Sequence, residues 1–263
     1  MPQPSDPWQL GNPYERYVGR WSRRVAPAFL AWLDVPAQRR WLDVGCGTGA
    51  LCAAIVERCA PASLTGVEPS EGFLEVARRT LPSQVILRAG NAASMPLPDA
   101  SVDVVVSGLV LNFIPDLDAA FKEIARVAAP GATFGAYVWD YAGKMELMRY
   151  FWDAAVALDP AAKALDEGIR FPLCDPEALL ARVGAAEFND AQVTAIDVPT
   201  PFSSFDDYWD PFLGGQGPAP AYAMSLDEAA RGTLREVLRE RLPIQSDGSV
   251  SLMARAWAVR ATT

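Results

Sequence analysis

The sequence predicts an open, doubly wound α/β fold: a seven-stranded, mostly parallel Rossmann-like sheet with N-terminal helices and helical cap insertions. Three observations predict it. Strand-like and helix-like segments alternate from Arg40 to Trp139, the rhythm of parallel strands joined by crossover helices. The run Val102-Asp103-Val104-Val105-Val106 is nearly continuous in apolar residues, which suits a strand covered on both faces. Lastly, Trp41-Leu42-Asp43-Val44 ends in Gly45-Cys46-Gly47-Thr48-Gly49 and passes at once into a helical pattern. A strand that turns through glycines into a helix lets backbone N–H groups approach a small ligand.

The first twelve residues, rich in Pro, Gln and Gly, are expected to be flexible. From Tyr14, the residues Tyr14, Tyr17, Val18, Trp21 and Val25 recur at helical spacing, and Pro27 is expected to break this helix before a second short one ends near Leu33. Strands are expected at Arg40–Val44, Ser63–Val67, Gln84–Ala89 and Val102–Ser107, with helices over Ala50–Cys59 and Ser70–Leu81, the second capped by Ser70. Leu117, Ala120, Phe121, Ile124 and Ala128 mark an amphipathic helix that Pro130-Gly131 should stop, and a strand over Ala132–Trp139 should follow. Asp175-Pro176-Glu177 starts another helix with Gly184 as its C-cap, and Glu187–Val198 and Val250–Val259 read as late strands.

Two stretches fall outside this rhythm. Residues 141–174 and 200–245 are long for simple connections, and the second holds a capping-box match, Ser225-Leu226-Asp227-Glu228, ahead of a helix. We expect one domain over 1–263. In it an N-terminal helical segment, 13–34, and the two insertions cap a ligand-binding core, 36–140, while 175–199 and 246–263 complete the sheet.

Composition narrows the function. Apolar residues make up 51% and charged residues 21% of the 263, a globular balance. The net charge of −9 repels nucleic acid, and the cluster Arg16, Arg20, Arg23 and Arg24 reads as a solvated helix face. No stretch approaches the ~20 apolar residues that span a bilayer. The Pro-rich start has no secretory leader pattern, so a cytoplasmic protein is expected. Cys46, Cys52, Cys59 and Cys174 form no CxxC pair and read as reduced, mostly buried thiols. The chain has no histidine, which removes the commonest general base, the commonest transition-metal ligand and triad hydrolysis.

The glycine turn leaves two cofactors open. Gly45-x-Gly47-x-x-Ala50, with Glu68 at the end of the next strand, satisfies the dinucleotide pattern as well as an adenosyl one. Asp43 separates them. A carboxylate at that strand end repels a pyrophosphate and attracts an ammonium or sulfonium group, which favours a cationic ligand without phosphates.

Leu42-Asp43-Val44-Gly45-Cys46-Gly47-Thr48-Gly49 resembles motif I of the class I S-adenosylmethionine-dependent methyltransferases, in their small-molecule, type 11 branch. Glu68-Pro69-Ser70 is similar to the motif that holds the ribose, Gly90-Asn91-Ala92 to the segment against the adenine, and Pro96–Asn112 to the fourth-strand motif. Arg126-Val127 through Pro130-Gly131 resembles the closing segment. The resemblance covers roughly residues 40–140 and implies cofactor contacts from Asp43, Gly45, Cys46, Gly47, Glu68, Pro69, Asn91, Ala92, Ser107 and Leu109. Tyr17 and Arg20 are further candidates, for the methionine carboxylate or for closing over the site; an ordinary amphipathic helix explains them equally well.

This chain departs from the family at two places. Asn91 stands where Asp is common, and Asn112-Phe113 stands where many relatives carry His. What the resemblance implies is in-line transfer of the sulfonium methyl of S-adenosyl-L-methionine to a small acceptor, leaving S-adenosyl-L-homocysteine. Since the sulfonium is already activated, a dedicated base is not obligatory. Asp140, Tyr141, Asp206, Asp207 and Tyr208 are the base candidates, and none is assigned; no metal is expected. The aromatic density of the insertions suits an aromatic or apolar acceptor, although a helical cap also needs a core of its own. An NAD-type oxidoreductase and a non-catalytic adenosylmethionine-binding module are the alternatives.

Overall fold

The computed structural model describes residues 15–186, 188–214 and 217–263. The sheet has seven strands in the order β3-β2-β1-β4-β5-β7-β6: β1 (Arg40–Val44), β2 (Ser63–Glu68), β3 (Val85–Ala89), β4 (Val102–Gly108), β5 (Ala128–Trp139), β6 (Asn189–Phe202) and β7 (Val250–Thr262). β1 pairs in parallel with β2 and β4, β2 with β3 and β4 with β5, whereas β7 runs antiparallel to β5. The order reverses at β1, which is flanked by β2 and β4. Open α/β sheets hold ligands at the carboxyl ends of strands at such a switch point.

Helices form between the strands where the spacing places them, and residues 141–174, for which no individual element was expected, add two more. α1 (Arg20–Leu33), α2 (Ala50–Arg58), α3 (Glu71–Thr80) and α4 (Leu117–Val127) are followed by α5 (Glu146–Leu158), α6 (Glu167–Arg170) and α7 (Pro176–Gly184). Ser70 caps α3 by accepting from Phe73 N, and Asp116 and Asp175 cap α4 and α7 in the same way. Val104, Val105 and Val106 are each at most 1% exposed, so the central strand is covered on both faces. On one side Leu42, Val105, Phe134, Ala136 and Val138 pack with Phe121, Ile124, Leu179 and Val183.

Four local expectations need correction. Pro27 does not break the first helix; α1 runs through it, preceded by a π-helical turn at Glu15–Gly19. Burial of Val25, Ala26, Phe29 and Leu30 on one side outweighs the single backbone hydrogen bond that proline removes. Pro130-Gly131 lies inside β5, whose register shifts between Val102 and Val104 of its neighbour, because an irregularity there absorbs both residues. Gly184 is the last residue of α7 and Ala185 its cap. The capping box is not formed: Asp227 caps α10 (Glu228–Arg241) through Ala230 N, and the Ser225 hydroxyl donates to Tyr222 O. Residues 1–14 and Glu187, which carried expectations of a flexible start, a helix start and a strand start, lie outside the described residues.

The chain divides into two compact units. One comprises Met1–Trp21, Asp140–Pro172 and Asp197–Arg255, and holds α5, α6, α8 (Phe205–Trp209), α9 (Pro218–Ser225) and α10. Its interior is aromatic: Phe151 stacks on Phe212 at 4.5 Å, and Tyr17, Tyr208 and Trp209 also pack on Phe212. Trp152 donates its indole N–H to the buried Glu167 carboxylate. The rings gathered in the insertions thus form the core of this unit. The other unit comprises Ser22–Trp139, Leu173–Ile196 and Ala256–Thr263, and carries the parallel strands and the glycine turn.

Candidate active site

The carboxyl end of β1 runs into three glycines with positive φ: Gly45 at +72°, Gly47 at +54° and Gly49 at +91°. Only glycine enters this region without strain. The N–H groups of Gly45 and Cys46 both donate to Val67 O, at 2.8 and 3.1 Å, which ties the turn to β2. Gly49 sits at the N-cap of α2 with no side-chain cap. A Cβ on Gly45 would lie 2.6 Å from Val110, whereas one on Gly47 would meet nothing within 4 Å. Val110 therefore lies against the first glycine, and the backbone at the second is open to a ligand.

Two carboxylates frame this turn. Glu68, at the end of β2, accepts from Gly47 N at 3.1 Å and from Ser70 N at 2.9 Å. Burial raises its pKa, and those two N–H groups oppose the rise. Asp43 is 1% exposed and accepts from the Cys52 thiol at 3.2 Å, while its Oδ1 has no hydrogen-bond partner. Burial pushes its carboxyl up to about 7, the thiol holds it down in part, and the Glu68 charge adds to the rise. An orphaned buried carboxylate oxygen is costly unless a donor or a cation satisfies it. Residue types alone had not pointed to Cys52; its only signal was its place in the first turns of α2.

The remaining residues converge on the same strand ends. Ser107 donates to Val44 O at 2.9 Å and so clasps β4 to β1. Leu109 has φ +66°, uncommon for a residue with a side chain, and its N–H bonds Tyr137 O at 2.7 Å. Asn91 Oδ1 accepts from Ala93 N at 3.0 Å, closing a turn in which Asn91 is exposed and Ala92 half-buried. Pro69 is exposed beside Glu68, and Cys46 is buried with its sulfur against Gly66.

Tyr17 and Arg20 lie in the other unit. The Tyr17 hydroxyl donates to Met148 Sδ at 2.7 Å. Arg20 pairs with Asp207 at 2.7 Å, and its guanidinium lies over the rings of Trp21 and Phe202. Of the base candidates, Asp140 accepts from Gly143 N and Lys144 N, Asp206 pairs with Arg235, and the Tyr208 hydroxyl donates to Leu147 O. Each is engaged in holding local structure. Among the described residues no group of His, Cys, Asp and Glu could hold a metal ion.

Leu42 through Gly135 match a family model described as a methyltransferase domain, over residues 42–135. Residues 42–135 are thus similar to methyltransferase domains. Among curated relatives, an uncharacterized methyltransferase of Mycobacterium tuberculosis is 40% identical over 114 residues, 43% of this chain and 45% of that protein. A demethylmenaquinone methyltransferase of Symbiobacterium thermophilum is 37% identical over 99 residues, 35% of this chain and 39% of the relative. The chain thus spans less than half the length of the curated relatives it matches. A putative methyltransferase from an antibiotic biosynthesis pathway of Anabaena variabilis shares the fold, with a TM-score of 0.60 at 21% identity over 91% of this chain and 96% of that one. The matched segment holds the glycine turn, both carboxylates and the β4 end.

Glu68 gives the site a test. An amide in its place has one accepting oxygen for two backbone N–H groups and turns an NH2 toward one of them. Glu68→Gln is expected to lower S-adenosylhomocysteine affinity at least tenfold by calorimetry. In urea unfolding it should lower stability by about 1–3 kcal/mol.

Proposed function

We propose that this protein transfers a methyl group from S-adenosyl-L-methionine to a small acceptor by in-line displacement. The observation that carries the reading is the turn at Gly45–Gly49, with open backbone at Gly47, Glu68 fixed beside it and an unpaired Asp43 oxygen at the end of β1. These features fit a ligand with a ribose to accept and a positive charge to satisfy. The cofactor, when bound, supplies an electrophilic methyl on a sulfonium. In this reading the turn and Glu68 hold the nucleoside, Asp43 favours the cationic end, and Asn91 and Ala92 border the adenine.

The acceptor we propose is a small apolar or aromatic molecule rather than a nucleic acid. The net charge of −9 supports that exclusion. No described helix is long and apolar enough to cross a membrane, and the cysteines are free, which suits a reducing compartment such as the cytoplasm. The test is calorimetry with S-adenosylhomocysteine and with NAD+. Tight binding of the first and none of the second is expected; the reverse overturns the reading in favour of an oxidoreductase.

A further inference from the structure

We propose that Asn112 receives the methyl acceptor and that the acceptor is an amine bearing an N–H. This rests on the methyl-transfer reading and names the substrate class of the same site. Asn112 lies in the 3-10 turn Leu111–Phe113, just beyond the carboxyl end of β4. Two residues earlier Val110 packs against Gly45, and Leu109 bends the backbone to φ +66° to bring the segment there. Departures of this kind persist where the surroundings enforce them, and they cluster at ligand sites.

The side chain of Asn112 is held but not satisfied. Its Nδ2 donates to Cys174 Sγ at 3.6 Å, which fixes the plane of the amide. Its Oδ1 is buried and has no hydrogen-bond partner. A buried carbonyl oxygen without a donor is destabilising, and one persists where strain, a water or a ligand accounts for it. The missing group is therefore a donor.

The chemistry limits which donor. A carboxamide oxygen accepts a hydrogen bond but does not take a proton at neutral pH, and the chain has no histidine to do so. A hydroxyl acceptor needs a base to become a strong nucleophile; an uncharged amine does not. The ammonium form of the acceptor first loses a proton to water; the lone pair so freed forms the new N–C bond as the methyl's bond to sulfur breaks and that electron pair stays on sulfur. Positive charge passes from sulfur to nitrogen, and the N–H proton leaves to water after transfer. While charge builds on nitrogen its N–H becomes a stronger donor to Oδ1, so the contact tightens in the transition state and accelerates the step.

The experiment follows tritium from methyl-labelled S-adenosylmethionine into matched probes: 2-phenylethylamine and octylamine, 4-ethylphenol and octanol, and indole. Label is expected in the amines alone. Asn112→Ala should lower kcat with 2-phenylethylamine at least thirtyfold and leave S-adenosylhomocysteine affinity within twofold, and Asn112→Asp, which keeps an accepting oxygen, should recover most of the rate. Equilibrium dialysis of 2-phenylethylamine against the protein loaded with S-adenosylhomocysteine should show at least tenfold weaker binding in Asn112→Ala. Label in the hydroxyl or carbon probes in preference to amines, or an unchanged Asn112→Ala, overturns the proposal. If S-adenosylhomocysteine binds but no probe is labelled and no amine is retained in dialysis, the amine assignment alone fails; if S-adenosylhomocysteine does not bind, the methyl-transfer reading fails with it.

Discussion

Asp43→Asn should make the ligand-free protein more stable at pH 8 while lowering S-adenosylmethionine affinity about a hundredfold, equivalent to about 2.7 kcal/mol. The carboxyl of Asp43 is raised from 3.8 to about 7 by burial, so the folded state holds this proton more tightly than the unfolded chain. Stability from this group is therefore greatest below about pH 4, falls as pH rises toward 7, and stays low above it. Asparagine removes the dependence and can still accept from Cys52. In urea unfolding the variant and wild type should be nearly equal at pH 4, with the variant ahead by a few kcal/mol at pH 8. A constant difference at both pH values would show that the Asp43 carboxyl titrates alike in the folded and unfolded chains, so that burial does not raise it. Affinity should behave oppositely: a cation that needs the carboxylate binds wild type more weakly by up to tenfold per unit below pH 7, and the variant without that slope.

Gly45→Ala is the second large effect. An L side chain at φ +72° costs about 1–2 kcal/mol, and its Cβ at 2.6 Å from Val110 adds about 1–3 kcal/mol of overpacking. Together these should lower stability by about 2–5 kcal/mol, read from the urea midpoint at constant slope. Val110→Ala in the same chain should relieve the contact but not the backbone strain. The two substitutions should therefore be non-additive, with the double variant more stable than the sum of the singles implies. Strict additivity would place Val110 away from the turn.

The two experiments touch features of unequal legibility in the sequence. The turn could be read because positive φ demands glycine, and glycines leave a trace that needs no tertiary knowledge; the alternation of strand and helix around it leaves one too. Ser70 as a cap was legible for the same local reason. Pro27 was not, since whether a helix survives a proline depends on what its faces bury. The Ser225 box failed because Ser225 ends α9 and its hydroxyl donates to Tyr222 O, so that Asp227 caps the next helix. Val110 against Gly45, the thiol of Cys52 on Asp43 and the buried Oδ1 of Asn112 are contacts between distant residues, and no spacing rule encodes them. The aromatic insertions show the opposite limit: their composition is plain, but only coordinates reveal that Phe151, Tyr208 and Phe212 face one another.

The division into two compact units has a consequence for anyone wishing to separate them. The chain passes from one to the other after Trp21, Trp139, Pro172, Ile196 and Arg255, and two of these junctions fall inside β6 and β7. No truncation or single proteolytic nick can release either unit as an unbroken polypeptide. Once the sheet has formed, both ends of 140–172 and of 197–255 are anchored, so these segments lose less chain entropy when they order than free peptides of equal length would. Denaturation by urea is thus expected to proceed as one event rather than two.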